Sequence, residues 1–254
     1  MNTFEKTKFS VSHPDGSTVR GIRFKSDSAG KRPAVIICHG FNGCYAGSLD
    51  RGEAFSTAGF DCWLFDFRGG GEYTASDGKL SEMMTTETEC ADLKLIIKYV
   101  LSQPETDGHR LFLQGESQGG LICTLVAEEL PSLICGLILW YPALLIPEAS
   151  RERLQKGVCD VFGIRLSPDF DRIAAKLDPW IKMKDYPGNV LLIHGDSDPV
   201  VPLEYSKKAL SFFPNAKLKV IPGAGHGFSD IDLKSAILWS VSEATHIYKG
   251  LIRS

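Results

Sequence analysis

Residues 113–121 read Leu-Gln-Gly-Glu-Ser-Gln-Gly-Gly-Leu, a Gly-x-Ser-x-Gly pattern centred on Ser117. It lies between an apolar run at 110–113 and a helix-like stretch at 121–130. Joining a strand to a helix, such a pattern makes a sharp turn that admits only glycine at 115 and 119 and leaves the serine hydroxyl exposed at the sheet edge. A hydroxyl is a weak nucleophile until a neighbouring base takes its proton. Of six histidines, His226 stands in Gly223-Ala224-Gly225-His226-Gly227-Phe228, a glycine loop after a strand-like run at 218–221. It is the expected base. The third member must hold the imidazole in one tautomer and stabilise its cation. Residues 194–202, His-Gly-Asp-Ser-Asp-Pro-Val-Val-Pro, offer two aspartates. Pro199 biases Asp198 towards extended backbone, which aims its carboxylate outward. Asp198 is therefore the expected acid, and Asp196 a turn residue bonded to its own backbone.

The order Ser, Asp, His along the chain is the one used by α/β-hydrolases. Acyl transfer also needs donors where the carbonyl oxygen becomes negative, and backbone N–H groups are suited to this. Gln118, directly after the nucleophile, supplies one. The second is expected from His39-Gly40-Phe41-Asn42-Gly43, where Gly40 permits close approach and Phe41 carries the amide; His39 is expected to brace this loop.

Those residues need a scaffold. Residues 6–13 and 17–25 alternate in polarity around Pro14-Asp15-Gly16, a pattern for two antiparallel strands. Runs at 34–38, 62–67, 133–140 and 190–193 are almost continuously apolar, as in strands of a parallel sheet buried on both faces. Helical spacing at 49–58, 86–101, 121–129, 203–213 and 230–248 separates them. The expected fold class is α/β: a mostly parallel, doubly wound sheet with an antiparallel N-terminal hairpin. Residues 143–188 interrupt the rhythm without a convincing buried strand, too long for a structureless loop. They read as an inserted helical cap, with helix-like pieces at 147–156 and 170–177 and an apolar ceiling of Phe162, Phe170, Trp180 and Tyr186; an oligomer contact is the alternative use. Residues 1–142 and 189–254 are then the core.

Bulk properties narrow the partners. The 254 residues are 43% hydrophobic and 23% charged, with a formal net charge of −3. That balance gives no reason to expect nucleic acid or a membrane as partner and points to a small molecule. The N-terminus lacks an export pattern, and seven cysteines without a Cys-x-x-Cys pair fit reduced thiols in the cytoplasm. Gly69-Gly70-Gly71 is followed by a polar loop, which excludes a dinucleotide fingerprint. No metal-ligand pattern is present, so no cofactor or metal is expected. Asp66 and Arg68 are expected to form a structural ion pair.

His-Gly-Phe-x-Gly at 39–43, Asp66-Phe67-Arg68-Gly69, Ser76-Asp77-Gly78-Lys79, Gly115 to Gly120, Tyr141-Pro142-Ala143, residues 194–202 and Gly225-His226-Gly227-Phe228-Ser229 together resemble the bacterial α/β-hydrolase esterases related to cinnamoyl (feruloyl) esterases. The resemblance runs from about residue 15 to the end. It implies Ser117 as nucleophile, His226 as base, Asp198 as acid, Phe41 and Gln118 as oxyanion donors, and a cap between the sixth and seventh strands of the sheet. Trp180, Phe162, Tyr141 and Phe228 are expected to line the substrate pocket. Glu116 departs from the histidine common at that position; its side chain is expected to be solvated or hydrogen-bonded on the far side of the turn. The expected activity is that of a serine carboxylesterase on cinnamoyl-type or short acyl esters, with a thioesterase or small-peptide hydrolase as rivals and a non-catalytic binding protein as the contrasting class. A homodimer is left open.

Overall fold

The computed structural model describes residues 4–253. Eight strands form one sheet in the order β1 (Phe4–Ser12), β2 (Thr18–Ser26), β4 (Asp61–Phe65), β3 (Arg32–Cys38), β5 (Thr106–Glu116), β6 (Ile134–Trp140), β9 (Asn189–Gly195) and β10 (Ala216–Ile221). The β1–β2 and β2–β4 pairings are antiparallel and the pairings from β4 to β10 are parallel.

The residue types explain the arrangement. β3 and β4 are buried at every position, as apolar strands with helices on both faces must be. Alternation along β5 divides the core: Leu113 packs with Ile36, Leu121 and Val126 on one face, while Phe112 packs with Phe60, Ile138 and Ala244 on the other. The first face is covered by α3 (Thr86–Leu101), α4 (Gln118–Glu129) and α7 (Leu203–Phe212), the second by α1 (Leu49–Thr57) and α8 (Asp230–Arg253). Among the described residues no helix is long and apolar enough to cross a membrane.

In a parallel sheet every strand ends at the same rim, so the loops that follow gather there. Here those loops carry Phe41, Ser117, Tyr141, Asp198 and His226, after β3, β5, β6, β9 and β10 respectively.

Between β6 and β9 the chain forms α5 (Ile146–Lys156), a short hairpin of β7 (Asp160–Val161) and β8 (Ile164–Arg165), and α6 (Phe170–Ala174). The hairpin was not expected, since two-residue strands leave no period to read. Arg153 on α5 joins the Asp171 carboxylate on α6 through contacts of 2.6 and 3.1 Å. Leu166, Phe170 and Ala174 pack on Leu80 and Met84, next to α2 (Leu80–Met83), with Phe41 alongside.

Two members of the expected ceiling lie elsewhere. Tyr186 is buried in the main core and its hydroxyl donates to Ile134 O at 3.0 Å. Trp180 stacks on Tyr205 and Phe212 of α7, with the Lys208 ammonium over its ring. Long apolar side chains cover the nearest helix when they cannot reach the rim.

Candidate active site

Ser117 sits between β5 and α4 at φ 51° and ψ −118°, a backbone conformation costing on the order of 1–3 kcal/mol that persists only where its surroundings impose it. Here its N–H donates to Trp140 O at 3.0 Å and its carbonyl accepts from Ala143 N at 2.8 Å. The turn is crowded: a Cβ on Gly119 would overlap the carbonyl oxygens of Cys38 and His39, and one on Gly115 would overlap Gly119 O. Gly119→Ala is expected to cost about 3 kcal/mol or more through overpacking against backbone, read as a lowered Tm or loss of soluble protein; an unchanged Tm would contradict the packing described.

The structure brings together three side chains far apart in sequence. His226 Nε2 lies 3.0 Å from Ser117 Oγ, and His226 Nδ1 lies 2.8 Å from Asp198 Oδ2. The other oxygen of Asp198 accepts N–H groups from Val200 at 2.8 Å and Val201 at 2.9 Å. Asp198 is fully buried and His226 one-fifth exposed.

Asp196 behaves differently from expectation. Its carboxylate accepts the Gly223 N–H at 2.7 Å and the Ser197 hydroxyl at 3.2 Å, so it ties the acid loop to the histidine loop rather than bonding its own backbone.

His194 carries a role that the residue pattern did not disclose. Its Nε2 lies 2.9 Å from Val201 O, a pure acceptor, so that nitrogen carries the proton and Nδ1 accepts from Ser206 Oγ at 2.7 Å. Burial holds its pKa below the ordinary value. The neutral ring stands 3.3 Å from Asp198 Oδ2 and buttresses it. Its place at the end of a buried strand, two residues before Asp196, was the available signal.

The loop after β3 faces the serine from the other side. A Cβ on Gly40 would stand 3.1 Å from Ser117 Cβ, so Gly40 lets this loop close on Ser117. His39 is buried, accepts the Phe67 N–H at 3.2 Å and donates from Nδ1 to Gly40 O at 2.8 Å, which fixes the loop and its own neutral tautomer. The amides of Phe41 and Gln118 donate to no carbonyl among the described residues, leaving two N–H groups free at the Ser117 turn.

Two cavities meet at Ser117. One of about 270 Å³ runs under the inserted segment, lined chiefly by Phe41, Ala143, Ile146, Ala149, Val161, Leu166 and Phe170, with Arg153 at its side. The other, about 380 Å³, is bounded by Asn42, Tyr141, Ile164 and His226. Phe162, at φ 52° on the hairpin tip, borders both, with its ring centroid 6.3 Å from that of Phe41.

Of the aromatic residues expected at the pocket, Phe162 and Tyr141 are there. Trp180 is on α7. Phe228 packs behind the site against Trp140 and Tyr141. Tyr141 also serves as a platform, its ring 4.6 Å from that of His226.

Of its two expected states, solvated or hydrogen-bonded, Glu116 takes the second. Arg51 grips it with contacts of 2.8 and 3.1 Å while lying 4.9 Å over the Trp140 ring. Burial pushes its pKa up to about 7 against the pull of Arg51. The expected Asp66–Arg68 pair is replaced: Asp66 accepts the Tyr45 and Ala75 N–H groups, and Arg68 pairs with Asp92 at 2.7 Å.

A family model described as "Serine aminopeptidase, S33" matches residues 29–184, and one described as "TAP-like protein" matches residues 172–241. The first covers well over half of the chain. The chain belongs to the S33 serine aminopeptidase family. Among curated relatives, "Uncharacterized protein Rv2307c" of Mycobacterium tuberculosis is 28% identical over 222 residues, covering 85% of this chain and 70% of that protein. Among solved structures, Est1E from Butyrivibrio proteoclasticus is similar at a TM-score of 0.77 and 21% identity, covering 97% of this chain and 99% of its own. Acetyl xylan esterase 1 from Thermoanaerobacterium aligns with a TM-score of 0.73 at 20% identity, covering 97% of this chain and 84% of its own. These likenesses place this S33 member in the α/β-hydrolase fold, as the sequence resemblance implied.

Proposed function

We propose that this S33 family member is a serine carboxylesterase working through an acyl-enzyme. The observation that carries the reading is His226 bridging Ser117 Oγ and buried Asp198, beside two unbonded amides at the mouth of an apolar cavity.

In this reading His226 takes the Ser117 proton as the hydroxyl oxygen attacks the ester carbonyl, and Asp198 steadies the imidazolium. The developing oxyanion receives the Phe41 and Gln118 N–H groups. His226 then returns the proton to the leaving alcohol, and water repeats the sequence on the acyl-enzyme. The apolar cavity suits the acyl group, and its modest volume suits short-chain or single-ring acids, cinnamoyl-type acids among them. The wider basin beyond Tyr141 suits the alcohol. That Est1E has been solved with ferulic acid bound supports testing feruloyl esters first. The seven free cysteines support a reducing, cytoplasmic setting.

The family description favours one second reading, hydrolysis of small peptides. A panel of p-nitrophenyl esters from acetate to decanoate, methyl ferulate and aminoacyl p-nitroanilides separates the two. Esters are expected to exceed anilides in kcat/KM by at least about 100-fold; the reverse order would replace the esterase reading. Ala149→Phe, which fills the apolar cavity, is expected to cut kcat/KM for octanoate at least about tenfold while sparing acetate, since one pocket contact is worth about 1–3 kcal/mol. Equal losses on both esters would mean that the acyl group lies elsewhere.

A further inference from the structure

Beneath the oxyanion donors lies a carboxyl group that the reaction does not use. Glu89, on α3, is 2% exposed. Its Oε2 lies 2.7 Å from Gln118 Nε2, which also contacts Met84 Sδ at 3.6 Å. Gln118 is the residue whose backbone N–H is assigned to the oxyanion.

No cation answers Glu89 among the described residues. The charged group that bears on it most is Asp92, on its own helix, which disfavours a second negative charge. Arg68 is engaged by Asp92, as is His13 at 2.8 Å. From β3 and α4 the neighbouring titratable groups are the buried thiols of Cys38 and Cys123, with Cys90 beside them on α3. On the inserted segment that packs on α3, Arg153 is already paired with Asp171. Burial accordingly pushes the Glu89 carboxyl up to about 8.

A protonated carboxyl and a primary amide are complementary in both senses, so the pair is satisfied whichever end of the Gln118 amide faces Glu89. An ionised Glu89 would set a fixed negative charge one glutamine side chain away from the developing oxyanion. Resting on the esterase reading above, we propose that Glu89, held neutral against Gln118, is a positioning residue for the oxyanion-binding end of α4 and that its ionisation switches the reaction down at alkaline pH. Like charges separated by roughly the length of a glutamine side chain, at an effective dielectric near 20, correspond to a rate loss on the order of tenfold or more.

The test is the pH profile of kcat/KM for p-nitrophenyl acetate, corrected for buffer hydrolysis, from pH ~6 to ~10. Wild type is expected to lose at least about tenfold through an alkaline limb centred near 8. Glu89→Gln keeps the amide contact without an ionisable group, so it is expected to remain within about threefold of wild type at neutral pH and to hold that activity across the limb. Glu89→Ala is expected to lower kcat about tenfold at neutral pH with KM little changed, because the contact serves the transition state, and to show no alkaline limb, so that it converges with wild type near pH ~10; should it fail to fold, Glu89→Gln decides alone. An alkaline limb unmoved in Glu89→Gln would overturn the proposal. Wild type that turns over no ester and takes no fluorophosphonate would sink the esterase reading beneath it instead.

Discussion

Ser117→Ala is expected to lower ester turnover on the order of 10⁵- to 10⁶-fold while leaving the fold intact. Loss of the nucleophile removes the acyl-enzyme route and leaves only what binding and the oxyanion donors do for direct attack by water. The loss should fall on kcat rather than KM, because Oγ is one atom on the cavity wall and contributes little to ground-state binding. A companion result concerns stability. Ser117 holds φ 51° and ψ −118°, which glycine adopts without a Cβ penalty. Ser117→Gly is therefore expected to be inactive yet more stable than wild type by about 1 kcal/mol, read as a raised Tm. Retained turnover in Ser117→Ala, after repurification from a host lacking background esterases, would remove this serine from the reaction.

Asp198→Asn is expected to lower kcat about 10⁴-fold, and the contacts explain why an isosteric change does so much. Oδ1 of Asp198 accepts two backbone N–H groups, from Val200 and Val201. An asparagine must keep its oxygen there, so its NH₂ faces His226 Nδ1. That nitrogen then becomes an acceptor and the proton moves to Nε2, which can no longer take one from Ser117 Oγ 3.0 Å away. Asp196→Asn preserves the acceptor that the Gly223 N–H needs and is expected to stay within about threefold of wild type. If Asp196→Asn proves the more damaging, the acid is misassigned.

The sequence disclosed most where physics leaves little choice. Continuous apolar runs read as strands buried on both faces, and β3, β4, β6 and β9 are those runs to within a few residues. The run expected to reach Phe67 stops at Phe65; beyond it the Asp66 carboxylate accepts two loop N–H groups. Helix α4 begins at Gln118 rather than Leu121; Gly119 and Gly120 weaken the helical signal, yet close packing requires them, of Gly119 on Cys38 and His39 and of Gly120 on Pro142. Helix α8 runs to Arg253, past the periodicity that ended near Tyr248.

The site was legible in part for a related reason. Glycines and a proline mark where the backbone must turn, so the loops of Ser117, His226 and Asp198 announced themselves. Residues acting from behind carry no such mark. Glu89 sits in Thr86-Glu87-Thr88-Glu89, which reads as the solvated acidic first turn of a helix; only the packing of α3 on α4 buries it. Glu116 is expected to be solvated or hydrogen-bonded, but the partner, Arg51 at 65 residues' distance, carries no mark in the local sequence. Trp180 was misread because an aromatic side chain in an inserted segment fits a pocket wall and a helix cover equally well.

The reactivity of one hydroxyl decides the central claim. Folded protein treated with a fluorophosphonate, digested and mapped by mass spectrometry should carry a single adduct on Ser117, abolished by prior denaturation. No adduct, or one on another serine with Ser117 unmodified, would contradict it.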